Sequence, residues 1–278
     1  MTAFHIIDTD NNAGHALGAL KARGIDTVIR YIAYGLEGDE KVIKSAEARE
    51  FAAAGMKLGI VYEIDGRPGS AFVGGRDGAY AARYMPTIGM PEGSTIWYTV
   101  DYDPSVGEMD GIINAFQAFK NAINGKYKLG CYGSGMCCQD LKHRGLIDGG
   151  RWLTDSSGFD GTRAAIDNGW YEMRQLLPQT VCGLDADPDL LLNETVDIGA
   201  AIPNLAPPAP PDSVWPPDDP IAVMWWQSEL NKLGANLAVD GDYGAATTAA
   251  TKAFQMAHHL EVDGEAGPAT VAAMKGLA

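Results

Sequence analysis

Cysteine is scarce in this sequence. Cys131, Cys137, Cys138 and Cys182 are the only four in 278 residues, too few and too irregularly spaced for a disulfide framework in a chain this long. Reduced thiols and synthesis in a cytoplasm are expected. No apolar run approaches the roughly 20 residues that span a bilayer, so no membrane partner is expected. The opening, MTAFHIIDTDNNAGHALGAL, has Asp8 and Asp10 close behind a short apolar run and no basic start, so no secretory signal peptide is expected. Positive charge is also in deficit, with 21 Lys and Arg against 36 Asp and Glu and a formal net charge of −15. Nucleic-acid partners need clustered cations that displace counterions, which excludes DNA and RNA.

Cofactor signatures are missing too. No GxGxxG follows the first strand-like run and no GxxxxGK[ST] occurs, so dinucleotide and P-loop readings have no motif behind them. The five histidines (His5, His15, His143, His258, His259) include no HExxH. Asp185-Ala186-Asp187-Pro188-Asp189 lacks the Gly and Glu of an EF-hand loop. Neither metal nor cofactor is expected. Cys137 and Cys138 with His143 fall on a predicted helix and read as ordinary buried thiols rather than a nucleophile and its base.

What is present has a clear order. Residues 203–220, PNLAPPAPPDSVWPPDDP, hold eight prolines and form an extended spacer, dividing a domain at 1–202 from one at 221–278. Before the spacer, strand-like runs at 4–8, 27–34, 57–64, 95–101, 127–133 and 151–156 alternate with helix-like stretches. Two weaker strand candidates lie near Trp170–Leu176 and Val181–Asp185. About eight alternations suggest a parallel sheet in an α/β fold, closed as a (β/α)8 TIM-like barrel or open and doubly wound, and the count of eight favours the barrel. After the spacer, LAVDGDYGAAT (237–247) and LEVDGEAGPAT (260–270) repeat at an offset of 23 residues. Each DG makes a turn and each Thr can cap a following helix, so with IAVMWWQSELNKLG ahead the segment reads as a small all-α domain of three helices.

Acids gather where strands end. In WYTVDYDPS (97–105), Asp101 and Asp103 close a run of aromatic and β-branched residues, although Asp is depleted in strands. On a continued strand the two would share one face, about 6.6 Å apart. Asp8, Glu63, Asp65, Asp155, Asp185 and Asp187 end or follow other runs, in company with Tyr31, Tyr34, Tyr62, Tyr132, Trp152 and Trp170. A single such Asp is commonly a helix cap, but convergence of several on one barrel rim is not explained by capping. Carboxylates ringed by aromatics describe a sugar site, since pyranose faces stack on rings and glycosidic bonds need an acid plus a base or nucleophile.

The segment 221–278 resembles the three-helix peptidoglycan-binding domain found at the ends of cell-wall hydrolases. The matching residues are Trp226-Gln227, Leu230, Leu233-Gly234, Val239-Asp240-Gly241-Asp242, Gly244, Thr247, Phe254-Gln255, Leu260, Val262-Asp263-Gly264, Gly267-Pro268 and Thr270. Residues 4–193 resemble the glycoside-hydrolase-like barrel family of actinobacterial secreted proteins and phage lysins, itself similar to Chalaropsis-type muramidases. Ile7-Asp8, RYIAYG (30–35), GIVYE (59–63), WYTVDYD (97–103), YKLGCYGSG (127–135), RWLTDS (151–156), Gln175 and LDAD (184–187) carry that likeness.

The muramidase resemblance implies Asp8, Asp101 with Asp103, Tyr132, Trp152, and Asp185 with Asp187 as site residues. There are two departures: Asp103 stands where those enzymes carry the acid Glu, and Asp187 stands where they carry Asn. The reading is therefore a wall hydrolase of phage-endolysin type, with Glu63 or Asp103 as general acid and Asp101 or Asp8 stabilising the oxocarbenium-like state. Tyr34, Tyr62, Tyr132, Trp152, Gln175, Asp185 and Asp187 are expected to bind substrate, and a retaining, inverting or substrate-assisted course stays open. Peptidoglycan is the expected partner and a monomer the expected state. The other reading is a wall-binding protein whose barrel has lost its acid.

Overall fold

The computed structural model describes residues 4–192, 196–202, 211–217, 220–237, 239 and 241–277. Most of the Pro-rich spacer (203–210 and 218–219) and Asp240 of the first repeat lie outside the described residues. The chain forms two compact units, residues 1–36 with 40–205 in the first and residues 206–278 in the second.

The larger unit is an α/β barrel. Its parallel strands are β1 (Ile6–Asp8), β2 (Thr27–Ile32), β3 (Lys57–Tyr62), β4 (Thr95–Thr99), β5 (Lys128–Gly133), β6 (Gly150–Leu153) and β7 (Met173–Gln175). Helices α1 (Leu17–Ala22), α2 (Ser45–Ala54), α3 (Ala71–Thr87), α4 (Met109–Ile123), α5 (Gly135–His143) and α6 (Thr162–Asn168) fall between consecutive strands. Local sequence explains them. Ser70 and Ser134 cap α3 and α5 by accepting the N–H groups of Val73 and Cys137. Along α4, Ile112, Phe116, Phe119 and Ile123 recur at helical spacing and are all buried.

Closure departs from an all-parallel barrel. Between β7 and β1 runs β9 (Leu184–Leu191), antiparallel to both, and no helix precedes it. It follows β8 (Gln179–Val181) through a two-residue turn in which Cys182 and Gly183 have φ of 53° and 87°. Two positive φ values match the twist of a hairpin and call for a residue such as Gly. The strand candidate at Val181–Asp185 thus straddles a hairpin turn, and the eighth strand runs on to Leu191. A short β10 (Ala200–Ala201) pairs antiparallel with β3.

Direction decides which end of β9 meets the site. Parallel strands present their C-terminal ends to the rim of a barrel, whereas β9, running the other way, presents its beginning. Asp187 therefore sits opposite Asp8 in the ladder. Below that rim the barrel is filled by Ile6, Ile29, Val61, Trp97, Tyr132, Trp152 and Met173. Trp97 reaches across to β5, where a Cβ on Gly130 would lie 2.4 Å from its ring. Only glycine fits there, and the indole makes a solid floor.

The smaller unit packs α7 (Pro220–Lys232), α8 (Ala245–Ala257) and α9 (Pro268–Lys275) around Val223, Trp226, Leu230, Phe254, Val271 and Met274. The repeat is also a repeat of hydrogen bonds. Gln227 accepts the N–H of Gly241 (3.0 Å) and donates to the carbonyl of Asp242 (2.9 Å) and to Thr247 Oγ1 (3.2 Å). Gln255 accepts from Gly264 (2.8 Å) and donates to the carbonyl of Glu265 (3.0 Å) and to Thr270 Oγ1 (3.2 Å). One buried amide thus locks each DG turn to the helix beside it. Gln255→Ala, which strands a buried N–H and carbonyl, is expected to cost this unit about 2–3 kcal/mol. Urea unfolding followed on the unit's tryptophans checks it, and a shift under about 0.5 kcal/mol would show the clamp to be dispensable.

Candidate active site

At the rim lies a cavity of about 450 Å³ whose lining includes Asp8, Glu63, Asp101, Asp155, Asp185 and Asp187, with Tyr31, Tyr132 and Trp152 among them. Inward alternation explains most of this. Asp8 follows Ile6 on β1, Glu63 follows Val61 past β3, and Asp187 and Asp185 share a face of β9, while Asp101 reaches the rim from the segment after β4.

The floor is a connected polar network. Gln175 donates through Nε2 to Asp8 Oδ2 (2.8 Å) and to Asp187 Oδ2 (3.2 Å), and its Oε1 accepts from the hydroxyl of Tyr132 (2.7 Å). Tyr31 donates to Asp8 Oδ1 (3.0 Å). Deeper still, Trp152 Nε1 donates to Asp189 Oδ1 (2.8 Å), which is buried on β9 beneath Asp187. At one wall Lys41 makes an ion pair with Glu63 Oε1 (2.5 Å) and lies 4.6 Å from the centre of the Tyr31 ring.

Crowding carboxyls where water is excluded favours their protonated forms. Burial, reinforced by Asp187, pushes Asp8 up to about 8 against the opposing hydrogen bonds from Gln175 and Tyr31. Burial, reinforced by Asp155, Asp10 and Asp101, raises Asp187 to about 6. Asp189 is raised by burial and then by Asp8. Glu63 and Asp101 are also raised by burial, although Lys41 pulls both back. The site therefore contains acids able to hold a proton near neutrality beside others whose upward shift a lysine opposes.

Several sequence-based expectations need correction. Strand β4 ends at Thr99, so the alternation that placed Asp101 and Asp103 on one wall stops before them. Asp101 lines the cavity. Asp103 is exposed outside it and accepts the backbone N–H of Asp160 (2.8 Å). Tyr62 points outward from β3 and is buried against Tyr80, Tyr98 and Phe119. Tyr34 lies beside Tyr80 and does not line the cavity. Tyr132, Trp152, Gln175, Asp185 and Asp187 all do.

Sequence reasoning passed over Lys41, weighed Asp189 only within a rejected calcium-loop stretch, and left Tyr31 as a mere neighbour. For Asp189 a signal existed, because acids at 185, 187 and 189 alternate as one face of a strand does. Lys41 sits in the loop between β2 and α2, where nothing local marks it. Among the described residues no group of three or more His, Cys, Asp or Glu side chains is arranged to hold a metal ion, and no helix is long and apolar enough to cross a membrane.

A closed α/β barrel with an acid-lined, aromatic-walled mouth is the architecture of glycoside hydrolase-like domains. Residues 18–182, more than half of the chain, match the family described as Rv2525c-like, glycoside hydrolase-like domain, and the chain belongs to that family. Residues 221–274 match the putative peptidoglycan binding domain. Together the two domains point to a role at the cell wall. The uncharacterized protein YbfG of Bacillus subtilis is 33% identical over 130 residues, a match covering 42% of this chain and 18% of YbfG. Among solved structures, the Tat-secreted protein Rv2525c of Mycobacterium tuberculosis in complex with L-tartrate superposes with a TM-score of 0.59 at 17% identity, over 70% of this chain and 98% of that one. An uncharacterized B. stearothermophilus protein superposes with a TM-score of 0.50 at 10% identity, over 70% of this chain and 98% of its own. At such identities the two superpositions speak for the fold alone.

Proposed function

We propose that the barrel hydrolyses glycosidic bonds of peptidoglycan, as a lysozyme-like wall hydrolase of the endolysin type. The observation that carries this reading is the convergence of Asp8, Glu63, Asp101 and Asp187 on one aromatic-walled cavity, in a chain that also has a peptidoglycan-binding domain. Asp187, raised to about 6 and half-buried, protonates the leaving oxygen as the C–O bond breaks. Asp101 and Glu63, whose upward shifts Lys41 opposes, stabilise the oxocarbenium-like state. Water then adds its hydroxyl to the sugar, and its proton restores Asp187. Asp8, held by Tyr31 and Gln175, positions that amide against Asp187. Attachment through residues 221–278 keeps the barrel at high local concentration on the wall of the host in whose cytoplasm a phage lysin accumulates, so weak affinity for each bond suffices.

Release of reducing ends from purified peptidoglycan tests this reading. Asp187→Asn and Asp101→Asn are expected to lower the rate by about 10²-fold or more, and Glu63→Gln by less. Asp103→Asn, which still accepts the Asp160 N–H, should retain most activity. A second reading has its own observation: Glu63 is neutralised by Lys41, and the Asp103 position is turned out of the cavity. A wild-type protein that pellets with walls yet releases no reducing ends would establish a non-catalytic wall-binding protein instead. Deleting residues 203–278 should weaken pelleting in either case.

A further inference from the structure

Beside the acidic cavity, and sharing Thr99 with it, lies a second cavity of about 270 Å³ whose charged lining is balanced, with Asp65 and Asp77 set against two cations. Two arginines line it. Arg76 binds Asp77 through Nε (2.9 Å) and Nη2 (2.7 Å), while its guanidinium lies 5.2 Å from the centre of the Tyr34 ring. Arg67 stacks 4.3 Å above Tyr102, and among the described residues its guanidinium makes no hydrogen bond or ion pair. The carboxylates nearby are already engaged. Asp77, buried, also accepts the hydroxyl of Tyr98 (2.7 Å), Asp65 accepts the backbone N–H of Arg67 (3.0 Å), and Glu108 accepts from Ser105. In a chain of net charge −15, a guanidinium that lines a cavity with no hydrogen bond or ion pair of its own can attract an anion, even with Tyr102 beneath it and Glu108 within electrostatic reach.

A glycan lying in the acidic cavity meets at least five carboxyl groups there, against the single lysine Lys41. A carboxylate borne by that glycan is repelled from those walls and must be placed elsewhere. The adjoining cavity offers a guanidinium for the charge and, in Tyr34, an aromatic side chain in its wall for the apolar surface next to it.

We infer that this second cavity is a subsite for a carboxylate carried on the wall glycan, received by Arg67. Its source is the lactyl group of a denuded muramyl unit or the stem peptide attached to it. The inference rests on the reading of the acidic cavity as a peptidoglycan site. It also accounts for Tyr34, which stands outside the acidic cavity yet beside the path of a bound polymer.

Equilibrium binding to the full chain at low salt tests it with four probes: neutral chitotetraose, a GlcNAc–MurNAc tetrasaccharide without peptide, the same tetrasaccharide with stem peptides, and free stem peptide. Arg67 is exposed and without hydrogen bonds through its guanidinium, so Arg67→Glu should fold, and its thermal melt checks that. The wall-binding domain is identical in both proteins, so the difference between them reports the barrel. At least one carboxylated tetrasaccharide is expected to bind the wild type about tenfold tighter than chitotetraose, as a charge-assisted contact of about 1.4 kcal/mol implies. Arg67→Glu should erase that preference while leaving chitotetraose unchanged, and whichever arm shows the preference names the source. Equal affinities, or a preference that survives Arg67→Glu, would overturn the subsite. If chitotetraose fails to bind at all, the sugar reading of the acidic cavity falls. The subsite then stands if free stem peptide loses about tenfold in Arg67→Glu, and falls with it if that affinity does not move.

Discussion

Glu47→Ala is expected to destabilise the barrel by about 3–5 kcal/mol, lowering its melting temperature by roughly 10 °C. Glu47 on α2 makes a buried ion pair with Arg30 on β2 at 2.8 Å, with side-chain exposures of 2% and 0%. The pair is fully satisfied. Arg30 also donates to the carbonyls of Thr9 and Glu40, and Glu47 accepts the N–H of Ala13, so three loops at the rim are tied to one guanidinium–carboxylate unit. Removing the carboxylate leaves a buried cation with no counter-charge, which is the costly half of the interaction. Exchanging both residues for apolar ones of similar volume, Arg30→Met with Glu47→Leu, should recover most of the loss. Thermal and urea unfolding of the barrel transition measures both variants. A Glu47→Ala shift below about 1 kcal/mol would mean that water or a neighbour replaces the partner.

Asp8→Asn is expected to act in the opposite direction, and only at high pH. The folded state holds a proton on Asp8 up to about pH 8, while the unfolded chain releases it near the ordinary 3.8. The stability from this group is therefore complete below about pH 3.8 and is lost as pH rises toward 8. Asparagine removes that penalty, so at pH 8 the variant barrel should be more stable by on the order of 2–5 kcal/mol, with little change at pH 4. Melts at the two pH values read the difference. A variant equally destabilised at both would show that Asp8 is valued for its hydrogen bonds to Tyr31 and Gln175 rather than penalised for its charge. If hydrolysis is lost while stability rises, the rim is a place where stability is given up for function.

Much of this was legible along the chain. Strands β1 to β6 follow runs of β-branched and aromatic residues, because a buried parallel strand must be apolar on both faces. Two helices of the small unit follow a 23-residue repeat whose DG turns and threonines mark where each begins. Asp8, Asp101 and Asp187 were recognisable because acids are out of place in strand-like runs. What sequence reasoning misplaced, it misplaced for a common reason. Asp103 was put on the cavity wall by extending β4 two residues too far, and the chain's turn toward Asp160 depends on a loop 57 residues away. Tyr62 looks like any aromatic at a strand end, and only the pleat sends it outward to Tyr98 and Phe119.

The sequence by itself determined the two-part architecture, the alternation of strand and helix, the excess of negative charge and the set of acids from which a site could be built. Each of these depends on neighbours along the chain. The tertiary structure alone decided that the last barrel strand runs backward. That reversal brings Asp187 level with Asp8, buries Asp189 beneath them and lets a single amide, Gln175, bridge two carboxyls. It also paired Glu63 with Lys41 and turned Asp103 away. Protonation and orientation at the rim are set by groups that meet only when the barrel closes, because burial and charge act through space.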